Sequence, residues 1–167
     1  KKAAPIVVGI SINVCVMFVG DMGSPSRQAY TVIGDEVNLC ARLESLSRVF
    51  AVPIIVGEST RTRNADYAWQ ELDWVQVKNR KAPSRIFTPL GLRSAQSADK
   101  LRELKIWDAA LREYRAGNWD ECEMYLLNAM RLNPNSHLYR LYSARINAMR
   151  LAPPQNWTGV TVLDSNI

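Results

Sequence analysis

Close to its N-terminus the chain carries IVVGISINVCVMFVG, residues 6–20, in which Val, Ile and Phe dominate and Ser11 and Asn13 are the only polar side chains. A β-rich run that is apolar on both faces has the pattern of a strand in the middle of a sheet, where both faces are covered and alternation is lost. Such a strand needs hydrogen-bonding neighbours along both edges. The run therefore predicts one long strand, or two joined strands. A complete domain rarely opens this way, so the expectation is a fragment of a larger domain.

After this run, GDMGSPSRQ (20–28) gathers Gly, Asp, Ser and Pro into a turn and AYTVIG (29–34) resumes a strand, which predicts a hairpin. Asp35 follows Gly34 and precedes the first residues of helical period, so it reads as an N-cap whose carboxylate complements the positive helix end. From there Leu39, Leu43, Leu46 and Phe50 form an apolar stripe at helical spacing, and Asn38, Arg42 and Ser45 form a polar one. Asn38 and Arg42 lie one above the other on the same face. Spacing alone fits a solvated face as well as a shared ligand.

VPIIVGEST (52–60) reads as a short strand ending at Gly57, with a helix beginning over Glu58 to Arg63. Two further β segments, Leu72 to Val77 and Ser84 to Thr88, flank the basic loop Lys78-Asn79-Arg80-Lys81. Strands in hairpins as well as around helices make the first 91 residues an α+β sandwich rather than a doubly wound sheet. The composition changes at LRSAQSADK (92–100), and from Leu101 to Arg150 the pattern is helical, over roughly 97–116, 119–132 and 136–150. AGNWDECEMYLLNAMRLNP, with its break at Gly117, small residues at Cys122 and Ala129 and a closing Pro134, resembles the second half of a tetratricopeptide repeat. One repeat makes no solenoid, so these helices are expected to pack on the α/β part or on another chain. The expected division is residues 1–92 and 93–167, the latter ending in an extended tail anchored by Trp157.

With 47% hydrophobic and 22% charged residues, the balance is that of an ordinary globular protein. No stretch reaches the roughly 20 apolar residues of a membrane span and no signal-peptide pattern opens the chain, so it reads as cytosolic. Cys15, Cys40 and Cys122 are odd in number, far apart and set in apolar patterns, as buried thiols are. The net charge of +5 permits an anionic partner. The basic residues are spread along the chain without interleaved aromatics, which argues against nucleic acid. His137, the one histidine, reads as a surface helical residue.

FVGDMGSPSRQAYTVIGDEVNLCARLE (18–44) resembles the signature region of the class III adenylyl/guanylyl cyclase catalytic domain: a Gly-x-x-Gly-Ser turn, a Tyr-x-x-x-Gly-Asp step and a Val-Asn-x-x-x-Arg helix in this order. IIVGEST and VQVKNRKAPSRIF follow in register, and the resemblance covers about residues 6–91. It implies the C-terminal half of a ferredoxin-like cyclase fold. The helical part and its PPQNWTGV look like the extension of bacterial cyclases with a CHASE2-type sensory domain, implying a cytoplasmic domain of a protein anchored upstream in the inner membrane.

The resemblance implies an adenylate cyclase converting ATP to 3′,5′-cyclic AMP and pyrophosphate. In the family the ribose 3′-hydroxyl attacks the α-phosphate and charge builds on phosphoryl oxygens. Arg42 takes the part of the guanidinium that stabilises this charge, and Asn38 that of the amide that holds the ribose. Thr31 stands at the base-selecting position, where Thr or Asp favours adenine; it also fits a plain β-favouring strand residue. Arg80 replaces a triphosphate-contacting lysine and Lys81 adjoins it, although a solvated basic turn explains both equally. The resemblance further implies two Mg²⁺ or Mn²⁺ ions per site, held by aspartates upstream of this chain, and a homodimer whose sites combine both protomers. Asp21 in the hairpin turn and the capping Asp35 do not replace those ligands, so this fragment by itself is expected to be inactive. Ser11, Val14, Cys15 and Val16 replace the family's Gly, Thr, Gly and Pro, which is expected to straighten the strand or move its bend. Those changes, with Asn79 and Arg80, motivate the alternative of a catalytically silent interaction or regulatory module.

Overall fold

The computed structural model describes residues 8–24, 27–77 and 82–163. The elements run β1 (Ile10–Ile12), β2 (Phe18–Ser24), β3 (Arg27–Ile33), α1 (Asp35–Phe50), β4 (Ile54–Gly57), α2 (Glu58–Thr62), β5 (Tyr67–Val77) and β6 (Ser84–Leu92). A 3₁₀ turn over Arg93–Ala95 then leads to α3 (Ala98–Ala116), α4 (Trp119–Leu132), α5 (His137–Leu151) and β7 (Thr161–Leu163). The fold is mixed α+β. Five strands form one sheet in the order β1-β4-β6-β5-β7, while β2 and β3 form a separate antiparallel ribbon. Parallel pairs β1/β4 and β5/β7 lie at the two sides, and the antiparallel pairs β4/β6 and β6/β5 join them.

The N-terminal apolar run is not one central strand. Among its described residues Ile10 to Ile12 pair on β4, Phe18 to Gly20 open β2 against β3, and β1 is an edge with Ile10 46% and Ile12 44% exposed. Beyond Ile12 the polar residue in the run redirects the chain. The Asn13 amide donates to Glu36 Oε2 at 2.6 Å and accepts from Ser59 Oγ at 2.9 Å, ties to α1 and α2 that draw the backbone off the sheet over residues 13–17. Ser11, one of the departures from the signature, donates from Oγ to the Cys40 carbonyl at 2.6 Å and so fastens β1 to α1.

The hairpin forms as expected, with Phe18 opposite Ile33 and Ser24 opposite Arg27. Its strands reach further than the composition suggested: Asp21 lies in β2 opposite Tyr30, not in the turn. Asp35 is likewise not the cap. Gly34 occupies that position and Asp35 is the first helical residue, where it and Glu36 complement the helix dipole from the first turn. The apolar stripe of α1 is buried as read, with Leu39, Leu43, Leu46 and Phe50 each 3% exposed or less.

The three long helices begin and end within a residue of expectation because their caps are local. Ser97 Oγ accepts from the Lys100 amide at 3.1 Å, and Ser136 Oγ caps α5 from the same relative position. Gly117, at φ 81°, takes the left-handed turn that ends α3 and lets the Asn118 amide reach the Glu113 carbonyl at 3.0 Å. These helices pack on the α/β part, the first of the two expected arrangements.

Their attachment centres on an irregularity in β5. The register against β6 shifts between Glu71 and Asp73, and the bulge frees two carbonyls from the ladder. Trp107 Nε1 of α3 donates to the Glu71 carbonyl at 2.6 Å, and the Tyr142 hydroxyl of α5 donates to the Leu72 carbonyl at 2.9 Å. Both side chains are fully buried and meet edge-to-face at 4.9 Å. Beside them Arg145 of α5 pairs with Asp73 at 2.7 Å. Burial alone lowers the pKa of this guanidinium, but the Asp73 carboxylate reverses the effect and the net direction is upward. His137, exposed at the start of α5, meets the Val49 carbonyl at 3.0 Å and holds α5 to the end of α1. The tail is anchored as expected: Trp157 Nε1 donates to the Tyr114 carbonyl at 3.0 Å, and its ring packs edge-on against Tyr114 and Trp119. It then adds β7 to the sheet beside β5, a strand not anticipated from the sequence.

Candidate functional site

The β3–Gly34–α1 corner presents three of the five candidate residues. Thr31 is exposed on β3 opposite Gly20, and Asn38 and Arg42 are exposed on successive turns of α1. Their outward position follows from the helix period: with Leu39, Leu43 and Leu46 directed into the core, Asn38 and Arg42 fall on the other side. The helix start is held by the Gly34 carbonyl, which accepts from the amides of Val37 at 3.0 Å and Asn38 at 3.2 Å. The Arg42 carbonyl accepts from Ser45 Oγ at 2.7 Å, so Ser45 serves the backbone rather than the outward face. Arg80 and Lys81 lie outside the described residues.

A cavity of about 470 Å³ adjoins the beginning of α1, walled by Asn13, Glu36, Leu39 and Ser59 and by Pro83 and Ser84 at the start of β6. Thr31, Asn38 and Arg42 do not line it. They stand on an open surface, a geometry that suits one side of a site closed by another surface and not a self-contained pocket. Among the described residues, no group of three or more His, Cys, Asp or Glu side chains is gathered as a metal site. No helix among the described residues is long and apolar enough to cross a membrane.

A second cavity lies elsewhere. A groove of about 690 Å³ lies over the β5/β6 face between α2 and α3, and no residue of α1 lines it. It collects Arg61, Arg85, Arg93, Lys105, Arg112 and Arg115 around two carboxylates, Glu71 and Asp108. Asp108 keeps an exposed surface, but partial desolvation in the groove, aided by the negative charge of Glu71, raises its pKa, while Arg61 and Arg115 oppose the rise. The sequence reading saw only scattered basic residues here. The usable signal was the i, i+7 and i+10 recurrence of Lys105, Arg112 and Arg115 along one helix.

No family model matches the chain. The chain is similar to the terminal-differentiation specific adenylate cyclase of Dictyostelium discoideum, at 23% identity over 149 residues, which is 86% of this chain and 7% of that protein. Among solved structures it is similar to the adenylyl cyclase CyaB from P. aeruginosa, at 29% identity and a TM-score of 0.42, over 51% of this chain and 43% of that one. It is also similar to a bacterial light-regulated adenylyl cyclase, at 25% identity and a TM-score of 0.38, over 53% of this chain and 42% of that one. The chain thus spans less than half the length of each of these relatives, all of them adenylate cyclases.

Proposed function

We propose that this chain supplies the Asn–Arg side of a class III adenylate cyclase active site that converts ATP to 3′,5′-cyclic AMP and pyrophosphate. The observation that carries the reading is α1 itself. Directly after the Gly34-Asp35 step it buries one stripe and presents Asn38 and Arg42 together on an open face, in the order of the cyclase signature. The sequence similarity to an adenylate cyclase over 86% of the chain supports it.

On this reading the 3′-hydroxyl oxygen bonds to the α-phosphorus, the bond to the pyrophosphate oxygen breaks so that pyrophosphate leaves, and the hydroxyl proton passes to solvent water. Arg42 places a fixed positive charge beside the phosphoryl oxygens as the displacement proceeds, and Asn38 holds the ribose so that its 3′-oxygen stays in line. Thr31 offers a hydroxyl to the adenine edge, and Arg80 and Lys81 hold the terminal phosphates. Two Mg²⁺ or Mn²⁺ ions would neutralise the triphosphate and acidify the 3′-hydroxyl, bound by residues outside the described set. The open surface around Asn38 and Arg42 is closed in a homodimer, where the metal-binding half of one protomer faces α1 of the other. The α3–α5 helices correspond to the tetratricopeptide-like extension of a CHASE2-type cyclase, the chain being cytoplasmic and its parent anchored in the inner membrane.

The silent-module reading has one structural observation in its favour. The segment 13–17, where the cyclase pattern differs, leaves the sheet and is tied through Asn13 to the first turn of the same helix. One experiment separates the two: cyclic AMP and cyclic GMP production with Mn²⁺ by a protein joining this chain to a metal-binding half, beside its Arg42→Ala variant. The expected result is turnover of ATP, not GTP, that falls about 100-fold or more in the variant. A folded, dimeric protein with no turnover, or one indifferent to Arg42→Ala, overturns the proposal.

A further inference from the structure

The groove between α2 and α3 has no part in the proposed reaction, yet at about 690 Å³ it lies within the range of small-ligand sites. Its charges are unbalanced. Glu71 is answered by Arg115, in a short contact, and by Arg85 Nε at 3.8 Å. Arg112 Nε turns to Glu113 at 3.2 Å, a residue outside the lining. Arg93 and Lys105 have no carboxylate partner among the described residues. With six cationic side chains facing two carboxylates, the groove carries an excess of positive charge that suits an anionic ligand.

The groove also has an aromatic wall. Tyr67 and Trp69 on β5 lie 5.9 Å apart with an interplanar angle of 38°, and Phe87 on β6 lines the same cavity. These rings are already held in place. Trp69 Nε1 donates to the Asn64 carbonyl at 3.0 Å, and the Arg61 guanidinium sits 5.0 Å over the Phe87 ring. Tyr67 remains 40% exposed, leaving a face on which another ring can stack. Three walls, formed by α2, the sheet and α3, bound this recess.

We propose that this groove is a nucleotide-binding site distinct from the α1 surface, in which phosphates engage Arg93, Lys105 and Arg112 and the base stacks against Tyr67 and Trp69. A phosphate suits the arginine forks, and a planar base suits the aromatic wall. The site stands independently of the cyclase reading, since no residue assigned to that reaction lines it.

The test is calorimetric titration of the full chain with ATP, AMP and tripolyphosphate in EDTA at physiological ionic strength, beside a glutamate-rich peptide. The variants are Arg93→Glu, Lys105→Glu, Tyr67→Ala and, as a charge-matched control on α4 outside the groove, Arg131→Glu. All four alter exposed side chains, and circular dichroism confirms that each remains folded. The expected result is nucleotide binding that weakens about tenfold or more with Arg93→Glu or Lys105→Glu and is unchanged by Arg131→Glu. Tyr67→Ala should weaken ATP and AMP and leave tripolyphosphate unaffected. The proposal is overturned if no nucleotide binds, if Arg131→Glu weakens binding as much as Arg93→Glu and Lys105→Glu, if Tyr67→Ala changes ATP and tripolyphosphate equally, or if only the acidic peptide binds.

Discussion

Replacing Arg145 with Met tests whether α5 is bound to the sheet by charge or merely rests on it. Arg145 Nη1 lies 2.7 Å from Asp73 Oδ2 and 3.5 Å from Thr161 Oγ1, so one guanidinium touches β5 and β7 from the helix between them. The Asp73 side chain is 2% exposed and that of Arg145 is 19% exposed. Without the guanidinium, the Asp73 carboxylate loses its charged partner and keeps the Trp74 amide, which donates to Oδ1 at 2.7 Å. Leaving such a charge unpaired in a buried site costs about 3–5 kcal/mol. The partial exposure of Arg145 and the surviving amide bond place Arg145→Met at the lower end, about 3 kcal/mol. For a chain of this size that lowers Tm by about 6–12 °C. Urea unfolding and thermal circular dichroism of the wild type, Arg145→Met, Asp73→Leu and the double variant form a cycle in which the double variant should recover about 2 kcal/mol relative to additivity. If Arg145→Met loses less than about 1 kcal/mol, or the cycle is additive within about 0.5 kcal/mol, the pair behaves as an exposed one and the argument fails.

Ala51 closes α1 at φ 52°, a left-handed conformation unfavourable to a residue with a Cβ, so Ala51→Gly should raise the urea-unfolding free energy by about 0.5–1 kcal/mol. Gly159 is held at φ 75°, where an added Cβ would lie 2.9 Å from Arg115 Cβ; Gly159→Ala should cost about 1–3 kcal/mol and speed amide exchange in β7 before it affects α1. Cys122 is fully buried, and burial pushes its thiol from 9.0 up to about 12. The folded state keeps a proton that the unfolded chain releases, so this contribution to stability is intact below about pH 9 and declines as pH rises towards 12. Native alkylation at pH 8 followed by peptide mass analysis should label the half-buried Cys15 and Cys40 and spare Cys122; equal labelling of all three would contradict the packing.

Elements whose boundaries are set by their own residues were legible from the sequence. The stripe Leu39, Leu43, Leu46, Phe50 made α1 and decided which side is buried, and therefore that Asn38 and Arg42 face outward. Ser97 and Ser136 started two helices, and Gly117 ended one, through hydrogen bonds spanning no more than five residues. The signature from Gly20 to Arg42 was equally visible because it is contiguous. The N-terminal run misled where this local logic failed: apolar composition indicated burial on both faces, but Asn13 found partners at Glu36 and Ser59, 23 and 46 residues away, and took the chain off the sheet.

The tertiary structure alone decided what distant segments do together. The bulge at Glu71 to Asp73 acquires its purpose from Trp107 and Tyr142, which satisfy the carbonyls it releases, and no periodicity in β5 announces those partners. β7 is three residues long, too short for a pattern, and exists because Trp157 and Gly159 deliver the tail beside β5. The cations of the α2–α3 groove come from α2, β6, the 3₁₀ turn and α3, so along the chain they look like ordinary solvated charges. Local sequence sets each element's period and ends, because those depend on backbone bonds and side-chain packing within a few residues. The convergence of charges and the satisfaction of freed backbone groups depend on which surfaces the fold brings into contact, and only the assembled core determines that.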